Sequence, residues 1–130
     1  MRTISLFAAL LAGPAHAQTL PNMSPATSAQ RTVIDTNARA FTGRGCKTYG
    51  IKLNPAPPNI TAAQAKLAAD LAVTSLVELY QKLEVPITRF VRTPAGGAHL
   101  YLAKDRSYME VLTVKTGGRY YQGIRACVLR

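Results

Sequence analysis

Tryptophan is missing from this chain, and histidine, cysteine and carboxylate side chains are scarce: two His, two Cys and six Asp/Glu in 130 residues. So little histidine excludes a multi-histidine metal centre, the more so because His16 falls in a segment expected to be removed, which leaves His99. The cysteines, Cys46 and Cys127, are too far apart in sequence for the Cys-x-x-Cys spacing of a zinc ligand pair or a dithiol redox centre. No metal and no other cofactor is expected. Catalytic signatures are also absent: no G-x-S-x-G elbow, no phosphate-binding glycine loop and no H-E-x-x-H. The pairs Gly96-Gly97 and Gly117-Gly118 fall where hairpin turns are expected, and turn geometry accounts for them. No apolar run approaches the roughly 20 residues that a membrane-spanning helix needs, so no transmembrane segment is expected.

The opening MRTISLFAALLAGPAHAQ has the three parts of a cleavable secretory signal. Arg2 supplies a positive start, Ile4 to Ala12 carry no charge, and Gly13-Pro14 break the helix before the small-x-small triplet Ala15-His16-Ala17. Pro14 stands where a lipid-anchored signal would place cysteine, and Thr3 stands where a twin-arginine signal would place a second arginine. Residues 1–17 are therefore expected to be cleaved near Ala17, with export to the periplasm or the cell exterior. Removal of residues 1–17 leaves 113 residues and, with the loss of Arg2, lowers the formal charge from +10 to +9, against six acidic groups. That excess favours a polyanion or an acidic protein as partner. In an oxidising compartment Cys46 and Cys127 are expected to form a disulfide, closing a loop of about 80 residues, for a gain of roughly 4–5 kcal/mol in the chain-entropy model.

Residues 18–45 read as a flexible or partly helical leader, with Val33, Asn37, Ala40 and Phe41 at helical spacing before Gly43. Residues 46–130 read as one α+β domain. In Cys46–Leu53, Tyr49, Ile51 and Leu53 alternate with polar or small residues, as in a strand, and a proline-rich connector (residues 54–59) follows. A long amphipathic helix is expected over about Thr61–Glu84. Thr61 and Gln64 have capping-box spacing, and Ala65, Ala69, Val73, Leu76 and Tyr80 share one face. Pro86 ends it. Four strand-like runs follow, Ile87–Thr93, Ala98–Lys104, Tyr108–Lys115 and Arg119–Leu129, joined by TPAGG, KDRS and TGG turns. The fold class is one long helix packed on a four- to five-stranded antiparallel sheet. From Cys46 onward this element order resembles the cystatin-like architecture, in which a sheet wraps around one helix. The inhibitory motif of that family, QxVxG, is replaced by Thr93-Pro94-Ala95-Gly96-Gly97, and its Pro-Trp pair is absent, so protease inhibition is not implied. A simple meander would put the two cysteines on opposite edges of the sheet. The disulfide therefore requires that the first strand lie beside the last, or that residues before it wrap around the sheet.

Alternation along the strands predicts which side chains share a face. With Gly117-Gly118 as a two-residue turn, Glu110 falls opposite Arg125 and Val111 opposite Ile124. With Asp105-Arg106 as another, Tyr101 falls opposite Glu110. With a Pro94–Gly97 loop, Phe90 meets Tyr101 and Arg92 meets His99. One face then gathers Arg92, His99, Tyr101, Glu110, Tyr121 and Arg125. Two functions follow from that face. The first is a non-enzymatic binding or accessory module that uses Arg92, Tyr101, Tyr121 and Arg125 against an anionic or protein partner. The alternative is a metal-independent ribonuclease-like phosphodiesterase with Glu110 as base, His99 as acid, and Arg92 and Arg125 on the phosphate. An ordinary cross-strand Glu110–Arg125 ion pair is the competing structural account. Whether the face is open or covered by residues 18–53 decides its use.

Overall fold

The computed structural model describes residues 19–20 and 22–130, so the expected signal segment lies outside the described residues. Two helices pack on a five-stranded antiparallel sheet, one helix on each face. The elements are α1 (Ser28–Thr42), β1 (Cys46–Pro55), α2 (Ala62–Lys82), β2 (Arg89–Arg92), β3 (Ala98–Leu102), β4 (Ser107–Thr116) and β5 (Arg119–Leu129). The sheet order is β1-β5-β4-β3-β2. The first strand thus inserts beside the last, and Cys46 lies 5.7 Å from Cys127 between Cα atoms and is bonded to it. That is the first of the two arrangements the cysteines demanded.

Both helices begin in the same way. At α2, the Thr61 hydroxyl accepts from Gln64 N–H and the Gln64 side-chain Oε1 accepts from Thr61 N–H, the expected capping box. Thr27 and Gln30 form an identical box at α1, a signal that the polar composition of the leader obscures. Gly43, at φ 80°, closes α1 in the left-handed conformation that glycine adopts at least cost. The segment read as a leader thus contributes a 15-residue helix that fully buries Ile34 and Ala38. Only three residues, Gly43 to Gly45, link α1 to β1, and the Asp35 carboxylate accepts from Cys46 N–H at 2.8 Å across that link.

Each face of the sheet has its own core. Val73 and Tyr80 of α2 pack with Leu100, Leu102, Met109 and Ala126. Ile34 and Ala38 of α1 pack with the disulfide, Ile51, Tyr108 and Leu129. Burying each large side chain contributes roughly 1.5–3 kcal/mol. On α2, Ala65 and Ala69 seat the first half close to the sheet, while Leu67 and Leu71 stay 60% and 58% exposed. Leu20 and Ser24 cover part of the β1 edge, with Leu20 N–H on Tyr49 O and reciprocal bonds between Ser24 and Ile51. The opposite edge is β2, four exposed residues with an arginine at each end, a short charged edge that discourages further pairing.

The β4–β5 register is the expected one, with Glu110 opposite Arg125 and Val111 opposite Ile124. Between β3 and β4 a 3-10 turn replaces the two-residue turn. His99 rather than Tyr101 therefore faces Glu110, a two-residue shift that keeps the faces unchanged. The β2–β3 loop needs a correction. It spans five residues rather than four, so Val91 meets His99 and Arg92 meets Ala98. That one-residue slip sends Arg92 to the α2 face and brings Arg89 to the α1 face.

The disulfide generates the first prediction. Replacing both Cys46 and Cys127 with alanine should lower unfolding free energy by about 4 kcal/mol, because it frees a loop of 81 residues in the unfolded chain. Denaturant titration measures this, and a loss below about 1 kcal/mol would show that the bond does not hold β1 in place.

Candidate functional site

Among the described residues, three recesses bear on function. The first is the predicted polar face. Strand alternation puts Tyr108 and Glu110 of β4, His99 of β3 and Arg125 of β5 on one side, and α1 lies across them. Glu110 is 1% exposed. Its Oε1 accepts from Arg125 Nε at 2.8 Å and from Nη2 at 2.6 Å, and its Oε2 accepts from Tyr108 Oη at 2.7 Å and Asn37 Nδ2 at 2.9 Å. Four donors fill the four acceptor positions of a carboxylate. The one phenolic proton of Tyr108 points at Glu110, so His99 Nδ1, 2.7 Å from Tyr108 Oη, carries hydrogen and donates to it. A directed chain therefore runs His99 → Tyr108 → Glu110.

Phe41 of α1 closes over this chain, with its ring 5.6 Å from His99 and 5.9 Å from Tyr108 between centroids. Arg89 stacks on the outer side of Phe41 at 4.3 Å and donates to its carbonyl oxygen. Beside His99 a recess of about 200 Å³ remains, walled by Asn37, Ala40, Phe41 and Arg89. Burial pushes the Tyr108 hydroxyl far above its usual range, and the Glu110 bond and charge push in the same direction.

The structure thus brings together His99, Glu110 and Arg125 of the predicted set. Tyr101 shares their face and packs at the margin of the α1 core. Tyr121 lies further along β5, opposite Pro55 and Val114, and joins none of these bonds. Arg92 sits on the other face, where its Nη1 is 3.8 Å from Asp70 Oδ1 and its guanidinium lies 5.5 Å from the Phe90 ring. Sequence reasoning missed Asn37, Phe41, Arg89 and Tyr108. Tyr108 was within reach, two residues before Glu110 on one strand, and Asn37 and Phe41 were one helical turn apart.

The second place is a polar recess of about 280 Å³ where α1 meets β1 and the end of β5. Arg31, Arg39 and Arg130 line it with the hydroxyls of Ser28, Thr32 and Tyr49. Its one acid is Asp35, whose carboxyl is held below the ordinary range first by Arg39, at 2.8 Å, and then by the Cys46 N–H. The third place is an apolar groove of about 460 Å³ between α2 and strands β4 and β5. Among the described residues no group of His, Cys, Asp and Glu is placed to hold a metal ion, and no helix is long and apolar enough to cross a membrane.

Two predictions follow from the closed face. Glu110→Gln or Arg125→Met alone should cost about 3–5 kcal/mol, since each strands a buried charge or donor. The double variant Glu110→Leu/Arg125→Met should cost less than the two singles summed. Strict additivity in denaturant unfolding would show that the two side chains are not coupled. At high pH, the raised hydroxyls of Tyr80 and Tyr108 mean that the unfolded chain loses those protons first, near the ordinary 10.0. Their contribution to stability is present below that pH and is lost as pH rises above it. Tyrosinate absorbance should therefore rise in step with loss of helical circular dichroism, and full titration of all tyrosines in the folded protein would contradict the burial.

The chain matches no protein-family model, no curated protein and no solved structure, so its function has to be argued from this geometry.

Proposed function

We propose that the chain is an exported, disulfide-stapled, non-enzymatic binding module for an anionic partner, a polyanion or an acidic protein surface. The observation that carries this is the arginine recess. Three guanidiniums and several hydroxyls line a polar hollow whose one acidic side chain, Asp35, already has its donors, while Arg39 is paired with Asp35 and Arg31 donates to Ala26 O. Guanidiniums in a fixed fork suit phosphate, sulfate and carboxylate oxygens, and adjacent hydroxyls add neutral donors. The rest of the surface supports the same partner. Among the described residues Asp35, Asp70 and Glu110 are each tied into bonds that join elements, while the basic groups outnumber all acids by more than two to one. Export rests on the signal-like residues 1–17 and agrees with a disulfide, which persists in oxidising compartments.

Binding through the open β-sheet face is not part of this reading, because α1 occupies that face. The ribonuclease-like alternative has one feature in its favour, the His99–Tyr108–Glu110 chain beside a recess. Against it stands a base whose acceptor positions are all taken. Two measurements separate the readings. The protein should be retained on an immobilised polyanion, with retention that falls steeply as salt rises. Arg31→Gln/Arg130→Gln should elute at lower salt with a slope reduced by about two charges. RNA incubated with the protein should stay intact. Salt-insensitive passage through the resin would end the binding reading. RNA cleavage abolished by both His99→Gln and Glu110→Gln would replace it with the enzymatic one.

A further inference from the structure

The recess beside His99 is separate from the arginine recess and shares no lining residue with it. Its volume, about 200 Å³, lies below the roughly 300–1,000 Å³ of drug-sized sites, so it admits a ligand of only a few heavy atoms. Its walls come from three elements: Asn37, Ala40 and Phe41 of α1, His99 of β3 and Arg89 of β2. Arg89 stands there because the five-residue β2–β3 loop sets a register that turns it to the α1 face.

The hydrogen-bond chain fixes the chemistry of the imidazole. Tyr108 donates its one proton to Glu110 Oε2, so His99 Nδ1 donates to Tyr108 Oη. Burial first, and then the Glu110 bond and charge, keep that phenol protonated, so the chain does not reverse. Nε2 is therefore a lone pair in the neutral ring and a donor in the charged ring, and it makes no hydrogen bond among the described residues. Arg89 stacks on the Phe41 ring at 4.3 Å and uses Nη1 on the Phe41 carbonyl oxygen, which holds the guanidinium in place. Its Nε and Nη2 make no hydrogen bond or ion pair among the described residues, and these two donors form a fork. Glu110, behind Tyr108, is paired with Arg125 and does not cancel Arg89. Tyr101 shares the face further along β3, and α1 lines the recess with uncharged residues.

We propose that this recess binds a small monocarboxylate, with uptake of one proton by His99. The carboxylate lies on the Nε–Nη2 fork of Arg89 and accepts from Nε2–H of the imidazolium, while its short carbon chain rests on Ala40 and Phe41. A neutral ring would set the Nε2 lone pair against a carboxylate oxygen. The proton therefore comes from solvent to Nε2, and the Nδ1 proton stays on Tyr108. Phosphate fits less well, because its further oxygens would meet Ala40 and Phe41, and Asn37 turns its amide nitrogen to Glu110.

Butyrate titrated into the mature chain, where His99 is the one histidine, can be followed by the His99 ring signals in NMR. Calorimetry in two buffers of unlike ionisation enthalpy counts the protons. At about pH 8, above the usual range of imidazole titration, binding should be saturable and 1:1, with uptake of about one proton. Butyramide, the uncharged isostere, and phosphate should each bind about tenfold or more weakly, the loss expected for a charge-assisted hydrogen bond. Arg89→Gln should weaken butyrate by a similar factor. Ala40→Phe fills the recess from an exposed helix position, so it should abolish binding while the unfolding midpoint stays near that of the wild type. Four results would overturn the proposal: no saturable binding, binding without proton uptake, affinity that Ala40→Phe leaves unchanged, or phosphate that binds as tightly as butyrate.

Discussion

The pairing of β1 with β5 is the constraint on which the rest of the structure depends. Once the first strand lies beside the last, α2 has to carry the chain from one edge of the sheet to the other, because β2 begins at the far edge. It does so across one face. The three-residue link from α1 to β1 leaves α1 no room to travel, and it settles on the opposite face against β1 and β5. The Cys46–Cys127 bond and the Asp35 contact to Cys46 N–H fasten this arrangement at the point where helix, first strand and last strand meet. A long-range pairing of this kind has a large loop-closure cost, and a cross-link over 81 residues removes much of that cost from the folding equilibrium.

Covering the second face changes what its polar residues can do. On an open sheet, Glu110 and Arg125 would be a cross-strand pair of small energetic weight. Under α1 they become a desolvated pair whose mutual attraction must offset the loss of water from both charges. The arrangement meets that requirement by filling every acceptor position of Glu110, with donors from α1, β4 and β5. Asn37 is the important member. It gives α1 one polar contact that is met only in the correct rotation, while Ile34 and Ala38 supply the less directional burial beside it. Phe41 completes the seal and carries Arg89 on its outer surface, so a cation that would otherwise be free helps to fix the end of α1.

Much of this could be read from local sequence. The capping box at Thr61, the Gly117-Gly118 turn and the alternation along β4 and β5 are short-range signals, and they place α2 and the Glu110–Arg125 pair correctly. What escaped was set by distance or by detail. The position of β1 has no local signature, since only the cysteine pair hints at it. Helix α1 was legible in part, from Val33, Asn37, Ala40 and Phe41 at helical spacing before Gly43, but its capping box and its full length were not, because only Ile34 and Ala38 are buried along it and its apolar stripe is thin. Arg92 was lost to one extra residue in the β2–β3 loop, where the Thr93 hydroxyl donates to Gly96 O and Asp70 accepts from Gly97 N–H to stabilise a five-residue turn. The apolar groove was hidden for another reason. Alanine and leucine count alike as apolar in a helical pattern, but they leave different volumes unfilled.

Three of the six carboxylates are used inside the fold. Asp35 joins α1 to β1, Asp70 joins α2 to the β2–β3 loop, and Glu110 joins α1 to the sheet. Each of these carboxylates serves as an acceptor between elements, and Asp35 and Asp70 also pair with the surface cations Arg39, Lys66 and Arg92. Adding acid to the surface would lower the net charge without touching these bonds, so the fold does not require the excess of arginine and lysine. Colloidal solubility would be met by a net charge of either sign. Three guanidiniums lining one hollow are in keeping with the anionic partner proposed above.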